Sequence, residues 1–204
     1  IEPFQLRYIE IGNEENIGSS ARSSYEHYVE RYLMLYNAIH PVYPDLKFVN
    51  AAWWRPGEVA TMKYVFDSLD GKCDFWDYHP WTETPQQAKE IEAEIEQMKN
   101  LFLQWNPQTT MRCAFLEENG NTHDVARALA HAVMLNVVRR AGGFVPLDSP
   151  ANALQPYKQN DNGWDQGQIF FYPTKVWMQP PYYAQQMAAT NHQPLLVESS
   201  CNKI

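Results

Sequence analysis

The sequence predicts an α/β fold built on a parallel sheet. Two observations carry this. Short β-prone runs alternate with helical stretches along the 204-residue chain, an alternation that implies parallel strands joined by right-handed crossovers. Two of those runs, Ile9-Glu10-Ile11-Gly12-Asn13-Glu14 and Met111 to Glu118, close on acid at the strand end. The stretch between the two acidic tips has room for about three βα units of roughly 30 residues each.

The elements follow in order. Leu6 to Gly12 reads as the first strand. Tyr25, Tyr28, Tyr32, Leu35 and Ile39 recur at spacings of 3, 4, 3 and 4, an amphipathic helix that Pro41 and Pro44 end. Leu46 to Trp53 is the second strand, and Pro56 opens a helix to about Leu69, stopped by Asp70-Gly71. Cys73 to His79 is the third strand. Thr84-Pro85-Gln86-Gln87 carries an N-cap, a proline at the first helical position and a Gln three residues after the cap. The helix behind it should bury Ala88, Ile91, Ile95, Met98 and Phe102. Thr110 to Glu117 is the fourth strand. Val125, Leu129, Ala132 and Leu135 mark a fourth helix that Gly142-Gly143 closes. Phe144 to Leu147 opens a fifth, less regular strand, residues 150–172 read as a long loop, and Pro180-Pro181 begins a short helix through about Thr190. Alternation alone does not separate a closed barrel from a doubly wound sheet. No phosphate-binding glycine motif sits in a strand–turn–helix context, so nucleotide binding has no support.

Composition narrows function only a little. Hydrophobic residues make up 45% of the chain, and no run approaches the ~18 apolar residues of a membrane span. A net charge of −8 argues against nucleic acid as a partner and suits a neutral polymer such as a polysaccharide. The seven Trp and twelve Tyr stack on sugar rings or build cores. Cys73, Cys113 and Cys201 are odd in number, lack metal-site spacing and read as incidental thiols. The chain starts at Ile1 rather than Met, so it is expected to begin inside something larger or after processing.

Tyr8-Ile9-Glu10-Ile11-Gly12-Asn13-Glu14 resembles the acid/base strand of glycoside hydrolase family 51, the α-L-arabinofuranosidases. Asp77-Tyr78-His79 is similar to that family's sixth-strand tip, and Phe115-Leu116-Glu117-Glu118 to its nucleophile strand. Asn160 to Asp165, Gln168 to Phe171 and Pro180-Pro181-Tyr182-Tyr183 are similar to the stretch after its eighth strand. The resemblance implies a (β/α)8 TIM barrel of which this chain supplies about strands four to eight. Residues 1–192 are then the C-terminal part of the barrel, and 193–204 the start of a β-sandwich strand. It implies a carbohydrate substrate, no cofactor or metal, and a companion polypeptide segment that supplies strands one to three. The sequence departs from the family in lacking an aromatic residue after the nucleophile.

Retaining cleavage of a glycosidic bond needs one carboxylic acid and one carboxylate about 5–5.5 Å apart, and (β/α)8 enzymes place such groups at the C-terminal ends of strands. Glu14 is the expected acid/base, with Glu15 a solvated neighbour. Glu117 and Glu118 compete for nucleophile. Strict alternation along the strand puts Met111, Cys113, Phe115 and Glu117 on one face and Arg112, Ala114, Leu116 and Glu118 on the other. The bulkier set suits the helix-facing layer, and the family alignment agrees, so the expectation falls on Glu118. The resemblance implies Asn13 at the sugar 2-hydroxyl; one of Tyr78 and His79 is expected to orient the nucleophile or contact substrate, Trp53 and Trp54 to form a stacking wall unless one of them packs in the core, and Gln155, Asn160 and Trp164 to contact substrate from the loop after the last strand. The expected activity is release of terminal arabinofuranosyl units. Alternatives are another retaining glycosidase of the clan, such as a β-xylosidase or endoglucanase, or a non-catalytic carbohydrate-binding fragment.

Overall fold

The computed structural model describes residues 5–158, 166–193, 195 and 197. Five strands form one sheet: β1 (Tyr8–Glu15), β2 (Lys47–Ala52), β3 (Phe75–Asp77), β4 (Arg112–Glu118) and β5 (Asp148–Pro150). They lie side by side in chain order and every neighbouring pair is parallel. A doubly wound sheet reverses its order at a switch point. This sheet never does, so it is an arc of a barrel.

Helices α1 (Arg22–Ile39), α2 (Val59–Leu69), α3 (Pro85–Trp105) and α4 (Val125–Ala141) form the crossovers. The expected face of α3 is the buried one, and that of α1 is buried through Tyr32, whereas Leu35 beyond it is exposed and Ile39 half-buried. Tyr25, Tyr28 and Tyr32 are fully enclosed, as are Ala88, Met98 and Phe102. The Tyr28 hydroxyl donates to the Ile11 carbonyl at 2.9 Å and accepts from the Ala51 amide at 2.7 Å, joining β1 to β2 from the helix side. Thr84 caps α3 as expected, accepting from the Gln87 amide while the Gln87 side chain returns to the Thr84 backbone.

The face of α4 differs from expectation. Arg127, Ala130, His131, Met134 and Val137 are buried, whereas Val125 and Leu129 are exposed. A polar, buried requirement at the tip of β4 sets this rotation, as described below. The expected stripe instead borders a groove shared with α5 (Pro180–Thr190).

The segment expected as a long loop contains a second small sheet of β6 (Leu154–Pro156), β7 (Ile169–Tyr172) and β8 (Lys175–Met178). β7 and β8 form an antiparallel hairpin, and β6 adds in parallel. The proposed sandwich strand at 193–204 falls mostly outside the described residues. On the opposite side of the main sheet from the helices, Val49, Phe75 and Ala114 form a narrower apolar layer with Leu116 and Leu147. This second layer is the floor beneath the strand-end carboxylates.

Candidate active site

The end of β1 is bent into the cleft by its backbone. Pairing with β2 runs regularly to Ile11 and then slips before Glu15. Gly12 has φ +104°, and Glu14 and Asn16 follow in the left-handed region at +48° and +70°. A Cβ on Gly12 would stand 2.7 Å from Glu15 Cγ, so the sequence needs glycine there. The turn is pinned from outside: Arg31 of α1 binds Glu15 at 2.6 Å, and Arg55 donates to the carbonyls of Asn16 and Ile17.

His79, just past β3, gathers the site. Its Nδ1 lies 3.0 Å from Glu14 Oε1 and 3.6 Å from Glu117 Oε2. Its Nε2 lies 2.5 Å from Asp77 Oδ2. Burial disfavours a charge on this ring, but the Asp77 hydrogen bond and its charge, then Glu14 and Glu117, outweigh it and raise the pKa to about 9. Beneath, the Glu10 carboxyl lies within 4.8 Å of the polar atoms of Asp77 and His79, and burial together with the Asp77 charge pushes it up to about 8.

The structure does not bring Glu118, the expected nucleophile, to Glu14. Glu117, not Glu118, faces Glu14. Met111, Cys113 and Phe115 do face the helices and Ala114 and Leu116 the inner layer, as alternation requires. The register then slips between Phe115 and Glu118. A one-residue irregularity exchanges the faces of everything beyond it. Glu117 therefore turns into the cleft and Glu118 into the helix layer. There Glu118 is wholly buried, accepting from Thr82 Oγ1 at 2.6 Å and Arg127 Nη1 at 3.1 Å, with His131 Nδ1 at 2.7 Å. Burial alone would raise its pKa, yet the His131 charge and hydrogen bond, with Arg127 and Thr82, hold it below the ordinary range. This cluster explains why α4 turns Arg127 and His131 inward.

The remaining expected residues divide. Trp53 stands edge-on to the His79 ring, with centroids 6.1 Å apart, and lines a hollow of about 160 Å³ with Glu14, Ala51 and Asp77. Asn13, the residue before Glu14, is exposed. Trp54 is a core residue, packed on Trp76, Phe102 and Trp105. The Tyr78 hydroxyl points toward α3 and donates to Glu94 at 2.7 Å. Gln155 is buried, and its side-chain oxygen accepts from the amides of Gln166 and Gly167, which braces the last loop. Asn160 and Trp164 lie outside the described residues.

Sequence reasoning missed Glu10 and Asp77. The available signal was a carboxylate in an otherwise apolar strand, on the same face as the acidic tip. The triads Glu10/Asp77/His79 and Glu14/His79/Glu117 bring their polar atoms within 4.8 Å of one another. Hydrogen bonding accounts for that closeness, because both nitrogens of the shared His79 already face carboxylates.

A family model described as "Alpha-L-arabinofuranosidase 1 domain" matches residues 1–99. The chain is 24% identical over 199 residues to "Alpha-L-arabinofuranosidase 1" of Arabidopsis thaliana, a match covering 98% of this chain and 26% of that protein. It thus spans about a quarter of the length of the curated relatives it matches along its whole length. Its fold is similar to that of the family 51 arabinofuranosidase of Xanthomonas axonopodis pv. citri (TM-score 0.73, 12% identity, 91% of this chain and 43% of that one). It is also similar to a family 51 α-L-arabinofuranosidase of Bifidobacterium longum (TM-score 0.74, 14% identity, 93% and 46%). By sequence and by fold, the chain is similar to part of the α-L-arabinofuranosidases of glycoside hydrolase family 51, and its sheet corresponds to part of their barrel.

Proposed function

We propose that this chain carries the two catalytic carboxylates of a retaining glycosidase that releases terminal α-L-arabinofuranosyl units from polysaccharides or oligosaccharides. The observation that supports it most is the approach of Glu14 and Glu117 to one nitrogen of His79. Their oxygens lie within 4.8 Å of each other, the range of a retaining pair and too close for the water that an inverting pair admits.

Glu14 protonates the leaving oxygen while Glu117 attacks the anomeric carbon, forming a glycosyl ester. Glu14 then takes a proton from water, whose oxygen displaces Glu117. Trp53, which lines the hollow, and Asn13, next to Glu14 in the chain, are the proposed sugar contacts. No step calls for a metal. The barrel arc is completed by further segments, the companion strands, which supply the rest of the sugar pocket.

The test is hydrolysis of a panel of 4-nitrophenyl glycosides by the assembled protein. Release from the α-L-arabinofuranoside, lost in Glu117→Gln, supports the reading. Preference for the β-D-xyloside moves the substrate assignment, and sugar binding without turnover makes the chain a binding module.

A further inference from the structure

Glu10 and Asp77 lie on strands that are not neighbours, β1 and β3, yet their carboxyl groups meet across β2. The sheet is built to allow it. Asp77 pairs with Ala114 on one side, and on the other β2 offers Ala51, one step past the Asn50–Trp76 pair. Such small side chains leave a hollow over β2. Asp77 and His79 fill it, with side-chain exposures of 2% and 4%. Glu10 reaches in from below. The groups facing His79 are Asp77 from β3, Glu14 and Glu10 from β1, Glu117 from β4 and the Trp53 ring after β2. Four carboxyl groups therefore crowd one imidazole, and among them Glu10, pressed between burial and the Asp77 charge, is the one that holds its proton.

We propose that Asp77 and Glu10 are positioning residues: Glu10 donates its proton to Asp77, Asp77 accepts from His79 Nε2–H, and His79 thereby presents Nδ1–H, as an imidazolium, to Glu14 and Glu117. This rests on the catalytic reading above for its consequence, though not for its geometry. In the first step the proton leaves Glu14 for the leaving oxygen, and the negative charge of Glu117 is consumed in the ester bond. One negative charge is present before and after, but it moves from Glu117 to Glu14. A fixed N–H placed between them serves both states without reorganising, the condition under which electrostatic stabilisation is most effective. The second step returns the charge. The raised affinities of His79 and Glu10 for protons agree with this arrangement.

The test reads His79 directly. In the assembled protein carrying ¹³C-labelled histidine, its ring signal, identified by its absence in His79→Gln, is followed against pH. The wild-type ring is expected to stay charged to about pH 9. Asp77→Asn keeps the side-chain oxygen that accepts from the Leu116 amide but removes the charge, and the midpoint is expected to fall by more than one pH unit. Glu10→Gln keeps a donor and cannot ionise. It is expected to leave the midpoint in place and to extend the alkaline limb of kcat/KM upward from about pH 8. An unmoved midpoint in Asp77→Asn overturns the proposal. If that variant does not fold, an unchanged alkaline limb in Glu10→Gln overturns it instead. A shifted midpoint in a protein that hydrolyses no arabinofuranoside sustains the positioning pair and rejects the catalytic reading.

Discussion

Glu117 and Glu118 are consecutive in the chain and point to opposite faces of the sheet. Glu117 reaches His79 in the cleft, and Glu118 reaches His131 and Arg127 under α4. Their substitutions should separate cleanly. Glu117→Gln should abolish turnover even on activated aryl glycosides, with little change in melting temperature. Glu118→Gln leaves Arg127 and His131 without their buried counter-charge, a loss on the order of 3–5 kcal/mol, and should appear first as a lowered unfolding midpoint. Thermal denaturation and single-turnover assays on both variants check this; a stable, inactive Glu118→Gln would return the nucleophile role to Glu118.

Glu14→Gln should behave differently from Glu117→Gln. A leaving group that is already a good anion needs no proton, so aryl arabinofuranosides with acidic phenols should still form the glycosyl-enzyme. Unactivated oligosaccharides should lose roughly two to four orders of magnitude in rate, the usual worth of general acid–base catalysis. Equal losses on both substrate types would reject the acid/base assignment.

Much of this was legible in the sequence because the signals were local. The Thr84 capping box and the Ala88–Phe102 stripe needed only period and cap chemistry, and both describe the observed α3. The alternation of Cys113, Ala114, Phe115 and Leu116 between the two faces likewise follows from strand period alone. The next step departs from that period, because a slip in pairing with β5 reverses the faces. That slip depends on a strand 30 residues away in the chain and has no local mark. The α4 stripe failed for a related reason. Its apolar period is real, but the buried Glu118 selects the face bearing Arg127 and His131. The Glu10–Asp77 meeting was illegible because small residues on an intervening strand create it.

Gly12→Ala should disturb the cleft more than the core. The added methyl meets Glu15 at a backbone angle of φ +104°, strain of order 1–3 kcal/mol. Relief comes through movement of the Gly12–Asn16 turn that carries Glu14. Activity should therefore fall at least tenfold while the melting temperature drops only modestly. A melting loss with unimpaired kcat would show that the turn does not position Glu14.

The two outer strands of the sheet, β1 and β5, have no further strand alongside them among the described residues. Unpaired parallel edges of this kind invite association, and the inner layer of Val49, Phe75 and Ala114 lacks the opposite strands that fill a barrel. Expressed as residues 1–204 alone, the chain should self-associate and hydrolyse no arabinofuranoside. Co-expression with the remaining barrel strands should restore solubility and turnover together. Sedimentation velocity beside an activity assay distinguishes the cases, and a stable, active monomer would require a different closure of the sheet.

Stability should decline as pH rises through the neutral range. Glu10 is raised from 4.5 to about 8, Asp148 from 3.8 to about 7 and His79 from 6.5 to about 9. Each group binds its proton more tightly folded than unfolded, so its contribution is complete below the unfolded value and is lost as pH climbs through the folded one. The combined window runs from about pH 4 to 9. Glu118 acts in the opposite sense: its lowered pKa gives stability present above the ordinary carboxylate value and lost on acidification. The unfolding midpoint should thus peak in mildly acidic buffer and fall toward pH 9. Glu10→Gln removes one titration that favours low pH, so it should flatten the fall between pH 5 and 8 while leaving the Glu118-dependent acid limb unchanged. Urea denaturation at pH steps from 4 to 9 on both proteins measures this, and a wild-type midpoint that rises from pH 6 to 9 would reject the protonated state of the cleft.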